Sequence, residues 1–147
     1  MKLVVEQSPG CKEPEVKISC SYIDGRLAKL IEHINMFAFS IKVQKDGALL
    51  AVALEDVFYF DAVDNRVFLY TEKDVYQCDK KLYEIEAAYE NTPLMRVGKS
   101  CILNIYCVAS VQVQLSGRLE ATLKNGEKVL ISRHYIKAFR DKFMQEG

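Results

Sequence analysis

Two basic, polar clusters in the last third of the chain carry the side chains best suited to bind a charged ligand. They are residues 96–100, Arg-Val-Gly-Lys-Ser, followed by Asn104, and residues 131–135, Ile-Ser-Arg-His-Tyr. Each cluster lies where an apolar, strand-type run meets a turn, so its cations project from a rigid edge and not into a core. Their donors match the acceptors of guanine edges and phosphates, and the turn at Asn65 and Arg66 adds further donors. The clusters predict a DNA-binding surface, and the alternative is that they are ordinary solvated turns.

The charge of the chain is unevenly distributed. Its 147 residues have a formal net charge of zero, which by itself does not favour nucleic acid, because proteins that bind a duplex normally carry a basic surface. Residues 1–91, however, contain 11 Lys and Arg against 16 Asp and Glu, whereas residues 92–147 contain nine against four. The positive charge is therefore concentrated in the part of the chain that holds the two clusters.

Enzymatic and nucleotide-binding chemistry find little support in the sequence. Residues 98–100, Gly-Lys-Ser, look like the end of a phosphate-binding P-loop, but the glycine that this motif requires five residues earlier is Pro93. The histidines, His33 and His134, have no evident nucleophile as a partner. We expect a protein that is not an enzyme and that needs no cofactor or small-molecule substrate.

The apolar stretches and the cysteines indicate the cellular compartment of the protein. No apolar stretch approaches the roughly 20 residues that span a bilayer, and the N-terminus turns acidic at Glu6, too early for an export signal. We expect a cytoplasmic protein. The odd number of cysteines and the absence of CxxC spacing predict reduced, structural thiols and no zinc site. These cysteines are Cys11, Cys20, Cys78, Cys101 and Cys107.

The first third of the chain predicts a strand, a helix and a strand. Residues 1–6 and 16–20 are short strand candidates, separated by Pro and Gly. Apolar residues at helical spacing follow Asp24, which is a good N-cap. Strand-type residues 39–43 and 48–54 then flank a turn at Asp46 and Gly47. We place a boundary near Lys45, which divides the chain into an extension of residues 1–45 and a domain of residues 46–147.

The remainder of the chain predicts mainly antiparallel β-structure. Short strands at residues 57–60, 66–71 and 74–78 form a meander, and an amphipathic helix around Ile85 ends before Pro93. Residues 100–113 are strand-type throughout. The Asn125-Gly126 pair predicts a hairpin of residues 118–123 and 128–132, and residues 135–144 predict a final helix.

Residues 48–144 resemble the LytTR family of bacterial DNA-binding domains, whose motifs occur here in the family's order. Residues 54–60 are similar to the family's opening I-x-Y-I-E strand, and residues 82–86 are similar to its L-x-x-L-E helix. Residues 94–104 resemble the signature F-x-R-x-H-R-S-x-I-V-N, and residues 131–135 resemble V-S-R-x-Y.

The chain departs from the family pattern at four residues. Leu94 and Met95 stand where an aromatic residue is usual, Gly98 stands where histidine is usual, and Asp61 ends the opening strand in place of glutamate. The loss of the histidine affects the local contact that the family makes with DNA.

The resemblance implies an α+β, mainly β fold, an elongated stack of antiparallel sheets that reads double-stranded DNA with loop residues. It implies that Arg133 contacts guanine, that Lys99 lies at the minor groove and backbone, and that Lys137 binds phosphate with Arg96 and Ser100. The turn at Asn65 and Arg66 and the loop at Arg133 and His134 would each enter a major groove. The candidate DNA-binding residues are Asn65, Arg66, Arg96, Lys99, Ser100, Arg133, His134 and Lys137.

Residues 1–45 match no part of that domain and are too short for a phosphoacceptor receiver domain. We expect this βαβ extension to pack on the domain or to pair across a two-fold axis, because so small a unit cannot bury its own apolar faces. The expected assembly is a homodimer. The resemblance further implies a small membrane protein as a regulatory partner. The sequence predicts a sequence-specific transcriptional regulator; the alternative is a protein-interaction or sensor module with a weakened or non-specific DNA surface.

Overall fold

A computed structural model describes residues 1–90 and 92–146, with side chains described up to Met144 after that gap. Its helices are α1 (Gly25–Ala38), α2 (Leu82–Ala88) and α3 (Ile136–Glu146). Its strands are β1 (Ser40–Lys45), β2 (Ala48–Ala53), β3 (Tyr59–Val63), β4 (Arg66–Tyr70), β5 (Val75–Cys78), β6 (Leu94–Gly98), β7 (Cys101–Asn104), β8 (Val108–Val113), β9 (Leu119–Leu123) and β10 (Lys128–Ile131).

The strands form two antiparallel sheets. The large sheet has the order β2-β1-β5-β4-β3-β7-β6, and the small sheet has the order β10-β9-β8. Successive residues of β7 serve different cores, as the two-residue period of a strand requires. Ile102 joins the core that holds Met36 of α1 and Ile85 of α2, whereas Leu103 joins the core that holds Ile131 and Phe139 of α3. The large sheet is thus covered by α1 and α2 on one face and by the small sheet and α3 on the other. The predicted fold class, α+β and mainly antiparallel β, is confirmed.

Local signals set several elements. The Asp24 carboxylate accepts a hydrogen bond from the Leu27 backbone at 2.8 Å and caps α1, as the sequence predicts. Asp46 and Gly47 have φ of 51° and 80°, so the β1–β2 connection is a turn that requires left-handed backbone. The hairpin that it closes pairs all six residues of β1 with β2.

The two strands predicted at residues 1–6 and 16–20 are not formed. The prediction that the extension begins with a strand is therefore wrong. Residues 1–24 contain no strand, and all of them are exposed. The alternation of apolar residues is short, and a strand is stable only when a partner strand takes its backbone hydrogen bonds. The predicted boundary near Lys45 falls in the β1–β2 hairpin, so the large sheet continues across it.

The run of strand-type residues at 100–113 is divided where the chain leaves the large sheet. Asn104 ends β7, and its side-chain oxygen accepts a hydrogen bond from the Tyr106 backbone at 3.1 Å, which starts a single 3₁₀ turn over Ile105–Cys107. Its side-chain nitrogen donates to the Val57 carbonyl at 2.8 Å. This buried amide redirects the chain from one sheet into the other, so the strand-type run of residues 100–113 forms two strands in different sheets.

Candidate nucleic-acid interface

Strand register brings two of the predicted turns to the same end of the large sheet. β3 pairs with β7 so that Asp61 lies opposite Cys101, and the Ala62 backbone donates to the Ser100 carbonyl at 2.8 Å. The turn at Asn65, which follows β3, and the turn at Lys99, which precedes β7, therefore lie next to each other. Both residues are exposed. We call this end of the molecule, with the turns at Asn65, Lys99 and Arg133, the basic end.

A β-bulge joins the second cluster to the first. The β6–β7 register shifts between Arg96 and Gly98, which leaves Val97 outside the ladder. The Val97 carbonyl then accepts two hydrogen bonds from Ser132, one from the backbone nitrogen at 2.9 Å and one from the hydroxyl at 3.3 Å. Arg133 follows Ser132 directly. The two clusters, 31 residues apart at their nearest in sequence, are adjacent in the fold.

Arg96 holds the turn that presents Lys99. Its guanidinium donates to the Gly98 carbonyl at 2.8 Å, to the Lys99 carbonyl at 2.6 Å and to the Glu86 carboxylate at 3.4 Å. Only 19% of its side chain is exposed. Arginine carries several donors in a rigid planar group, so it can fix several carbonyls of one turn. The contacts give Arg96 a role in positioning Lys99.

The Asn65 turn is also supported, by a lysine that the sequence analysis did not select. Asp64 and Asn65 both have left-handed backbone, with φ of 51° and 63°. The Lys81 ammonium donates to the Asn65 carbonyl at 3.2 Å. Lys81 is exposed and adds a cation beside Arg66, which is exposed at the start of β4. The signal for it was the Lys80-Lys81 pair directly before a predicted helix, but only the tertiary structure places that helix beside the turn.

Ser100 is engaged within the protein. Burial raises the pKa of the Asp61 carboxyl above its usual range, and hydrogen bonds from the Ser100 hydroxyl and the Ala62 backbone oppose that shift. The Ser100 hydroxyl thus donates to a half-buried carboxyl group next to the Lys99 turn.

The Arg133 loop packs on a second loop. Arg133 lies in a 3₁₀ turn, Arg133–Tyr135, and one of its terminal nitrogens donates to the Ser116 carbonyl. His134 is exposed, and its ring meets the Tyr135 ring edge-on at 4.8 Å between centroids. Lys137 is exposed in the first turn of α3. The three residues therefore lie together, and Arg133 is at once exposed and anchored.

Gly98, where the resembling family has histidine, stands open. A Cβ atom built on Gly98 would meet nothing within 4 Å. The fold does not require glycine there, so the missing side chain leaves an unfilled space beside the Lys99 turn.

Comparisons with known proteins identify the family of this chain. Residues 47–144 match the model of the LytTr DNA-binding domain, which is two thirds of the chain. The chain belongs to the LytTr DNA-binding domain family. A solved LytTr DNA-binding domain from Bacillus cereus superposes with a TM-score of 0.66 at 20% identity, covering 70% of this chain and 94% of that domain. This match shows the fold.

Two relatives align with the chain over very different shares of their own length. The sensory transduction protein LytT of Enterococcus faecalis is 28% identical over 103 residues, which cover 70% of this chain but only 43% of LytT. A Staphylococcus aureus protein named as an HTH-type transcriptional regulator is 24% identical over 131 residues, which cover 83% of this chain and 88% of that protein. The chain therefore spans less than half of LytT but most of the second relative.

Other kinds of site find no support in the part of the chain that the structure describes. Among residues 1–90 and 92–146, no group of His, Cys, Asp and Glu side chains could hold a metal ion. Within the same residues, no helix is both long and apolar enough to cross a membrane. Burial raises the pKa of the Cys101 thiol to about 12 and that of the Cys107 thiol to about 11, which disfavours the reactive thiolate form of both. The LytTr family is a family of DNA-binding domains and not of enzymes.

Proposed function

We propose that this LytTr protein is a cytoplasmic, sequence-specific transcriptional regulator that reads duplex DNA with the turns of its basic end. The observation that carries the proposal is the hydrogen-bonded junction of Val97 and Ser132, which unites two donor-rich clusters on one rigid edge. A rigid scaffold that presents loop side chains is the arrangement expected of a binding site. The family match and the transcriptional regulator among the relatives support it.

Each predicted residue receives a role consistent with its contacts. Arg133 is the candidate for a bidentate contact with guanine, and His134 lies beside it. Asn65 and Arg66 approach a second stretch of major groove, while Lys99 lies over the minor groove between them. The phosphate candidates are Arg96, Ser100 and Lys137. Ser100 and Lys137 are exposed, whereas Arg96 also bonds the carbonyls of its own turn.

The charge at the basic end supports electrostatic attraction to DNA. Exposed cations surround the clusters and outnumber the exposed acidic residues at the same end, which are Asp64, Asp79, Glu84 and Glu86. Asp79 is engaged by the Gln44 side chain at 3.1 Å. The exposed cations are Arg66, Lys80, Lys81, Lys99, Arg118, Arg133 and Lys137. Neutralising phosphates releases counterions, so binding should weaken steeply as salt rises.

Selection of bound duplexes from a random pool tests the proposal. The protein is mixed with the pool, bound duplexes are amplified over several rounds, and the enriched duplex is titrated against a scrambled one at two salt concentrations. We expect an enriched, repeated motif that binds at least about a thousandfold more tightly than the scrambled duplex. No enrichment, with equal and salt-sensitive binding to both duplexes, would contradict sequence-specific reading.

A homodimer is the proposed assembly, with residues 1–45 and the adjoining β2 edge at the interface. β2 is the edge strand of the large sheet and consists of apolar residues, and 78% of Leu49 is exposed. Unprotected apolar edges readily pair with another chain. Light scattering coupled to size-exclusion chromatography should give the mass of two chains at micromolar concentration, and Leu49→Gln should shift it toward one. A mass of one chain for the wild-type protein would contradict the proposed dimer.

The alternative function, a module that binds a protein, has one observation in its favour. Apolar side chains of the N-terminal segment are exposed, including Leu3, Val5 and Ile23. A small membrane protein that restrains the regulator is a partner that such a segment could bind. Selection with the full chain distinguishes the two functions, because a DNA reader enriches a motif and a pure interaction module enriches none. Deletion of residues 1–20 should leave the motif of a DNA reader unchanged.

A further inference from the structure

The loop at residues 114–118 is tightly closed and lies at the basic end. Val113 of β8 pairs with Leu119 of β9, and Leu119 pairs with Ile131 of β10, so the loop extends from the same end of the small sheet as Arg133. Its backbone is closed by hydrogen bonds from Gln114 to the Arg118 carbonyl at 2.9 Å and from Gly117 to the Gln114 carbonyl at 3.0 Å. The Gln114 amide further donates to Glu120 at 2.7 Å.

Arg133 fixes this loop. A terminal nitrogen of Arg133 donates to the Ser116 carbonyl, and its Nε would lie 3.5 Å from a Cβ atom built on Gly117. Gly117 has φ of 84°, a backbone conformation that residues with side chains rarely adopt, and its backbone lies beside the guanidinium. The residue proposed to read guanine and the loop therefore form one unit, whose guanidinium has further donors to offer a base.

Leu115 stands at the tip of that unit. Its side chain is as exposed as in an extended peptide, at 109% of the reference area. A single exposed leucine is ordinary on a protein surface. This one differs because an ordered loop holds it in solvent, one residue from the carbonyl that binds Arg133. An isobutyl group makes no useful contact with a phosphate, and the apolar feature that a major groove presents is the C5 methyl group of thymine.

We propose that Leu115 is a specificity-determining residue that packs on the methyl group of a thymine within about two base pairs of the guanine read by Arg133. The inference rests on the proposed function and extends it, because it adds an apolar contact to the polar contacts that we propose for base recognition. It predicts that the selected motif contains a thymine at a fixed distance from the base pair whose recognition is lost in Arg133→Ala.

Replacement of single thymines by deoxyuridine in the selected duplex tests the inference, since it removes one methyl group and leaves base pairing intact. We expect one such position to weaken wild-type binding about fourfold, the effect of burying one methyl-sized group. The variant Leu115→Ala should bind the unmodified duplex about fourfold more weakly and should not distinguish thymine from deoxyuridine at that position. Non-additivity of this kind identifies a direct contact.

Leu130→Ala is the matched control, because Leu130 is an exposed leucine on β10 of the same sheet. It should keep the full response to deoxyuridine. Wild-type binding that is unaffected by every deoxyuridine overturns the inference, and so does a Leu115→Ala protein that keeps the same response. An enriched motif without methyl dependence removes this inference alone, whereas failure to enrich any motif removes the proposed function as well.

Discussion

The two ends of the sheets differ in the number of cations that they present to solvent. At the end away from Lys99, which we call the tyrosine end, polar groups bind one another. The Tyr59 hydroxyl donates to Glu127 at 2.7 Å, the Asn125 amide donates to the Glu72 carbonyl at 3.1 Å, and Lys45 pairs with Asp74 at 3.0 Å. At the basic end, Arg66, Lys99 and Lys137 project from turns and a helix start into solvent.

This difference separates side chains that hold the fold from exposed side chains to which we assign contacts with DNA. Asn104 and Lys99 belong to the same LytTr signature, yet they lie at opposite ends of β7. Asn104 is completely buried and bonded to backbone on both sides, whereas Lys99 is exposed. Membership of a family signature therefore does not imply a role in binding, and the position along the strand decides between the two roles.

The largest expected effect of breaking the tyrosine end is on stability. Asn104→Ala removes the partner of the Val57 carbonyl and of the Tyr106 backbone nitrogen and leaves buried polar groups unsatisfied. We expect the free energy of unfolding to fall by about 2 to 3 kcal/mol. Urea denaturation followed by circular dichroism measures it. DNA affinity of the folded fraction should be unchanged, and a selective loss of affinity would place Asn104 in the interface.

At the basic end the expected loss is in binding. Arg133→Ala should weaken binding to the selected duplex by about 1 to 3 kcal/mol and relax selectivity at one base pair. Fluorescence anisotropy with duplexes substituted at each position measures both effects. Lys73→Ala, which removes a cation from the turn at the tyrosine end, is the control and should change neither. Unchanged affinity and selectivity in Arg133→Ala would show that Arg133 does not contact a base and that other residues recognise the sequence.

Tyr59→Phe tests the contrast between the two ends by removing one oxygen atom from the tyrosine end. The change removes the hydroxyl that donates to Glu127 and keeps the ring, which stacks on Tyr70 at 4.3 Å between centroids. The free energy of unfolding should fall by about 1 kcal/mol. DNA affinity should be unchanged. Thermal denaturation in parallel with anisotropy titration gives the two values. A binding defect without a stability defect would make the tyrosine end part of the DNA surface.

The smallest expected effect concerns Lys137. Its exposed ammonium is assigned to a phosphate, so Lys137→Ala should weaken selected and scrambled duplexes equally and reduce the slope of log K against log salt by about one. Titrations over a series of salt concentrations measure the slope. Lys128, exposed on β10 but paired with Glu120 at 3.5 Å, offers a control variant, Lys128→Ala. A slope that falls equally in both variants would contradict a specific phosphate contact.

Much of the fold follows from local signals in the sequence. Asp24, the Asp46-Gly47 pair and the Asn125-Gly126 pair place a helix start and two hairpins, because caps and turns depend on the residues at hand. The strands expected at residues 1–6 and 16–20 fail because a strand depends on a partner that local sequence does not specify. The break after Asn104 depends on Val57, 47 residues away.

The site shows the same division. The two clusters were visible as residue types, but their junction through Val97 and Ser132 depends on a bulge that the sequence does not reveal. Lys81 and the loop around Leu115 were missed because only tertiary contacts bring them to Asn65 and Arg133. Gly117 directly before a strand was a local signal for a tight loop, although it gave no indication of what the loop presents.

Hydrogen–deuterium exchange of the protein with and without the selected duplex tests the central claim most directly, because it compares both ends in one experiment. We predict slower exchange on binding in the turns of the basic end, residues 63–66, 98–101, 114–118 and 132–137. Exchange at the tyrosine end, residues 71–74 and 124–127, should be unchanged. Protection confined to the tyrosine end, or to residues 1–24, would contradict the assignment of the basic end as the DNA-reading surface.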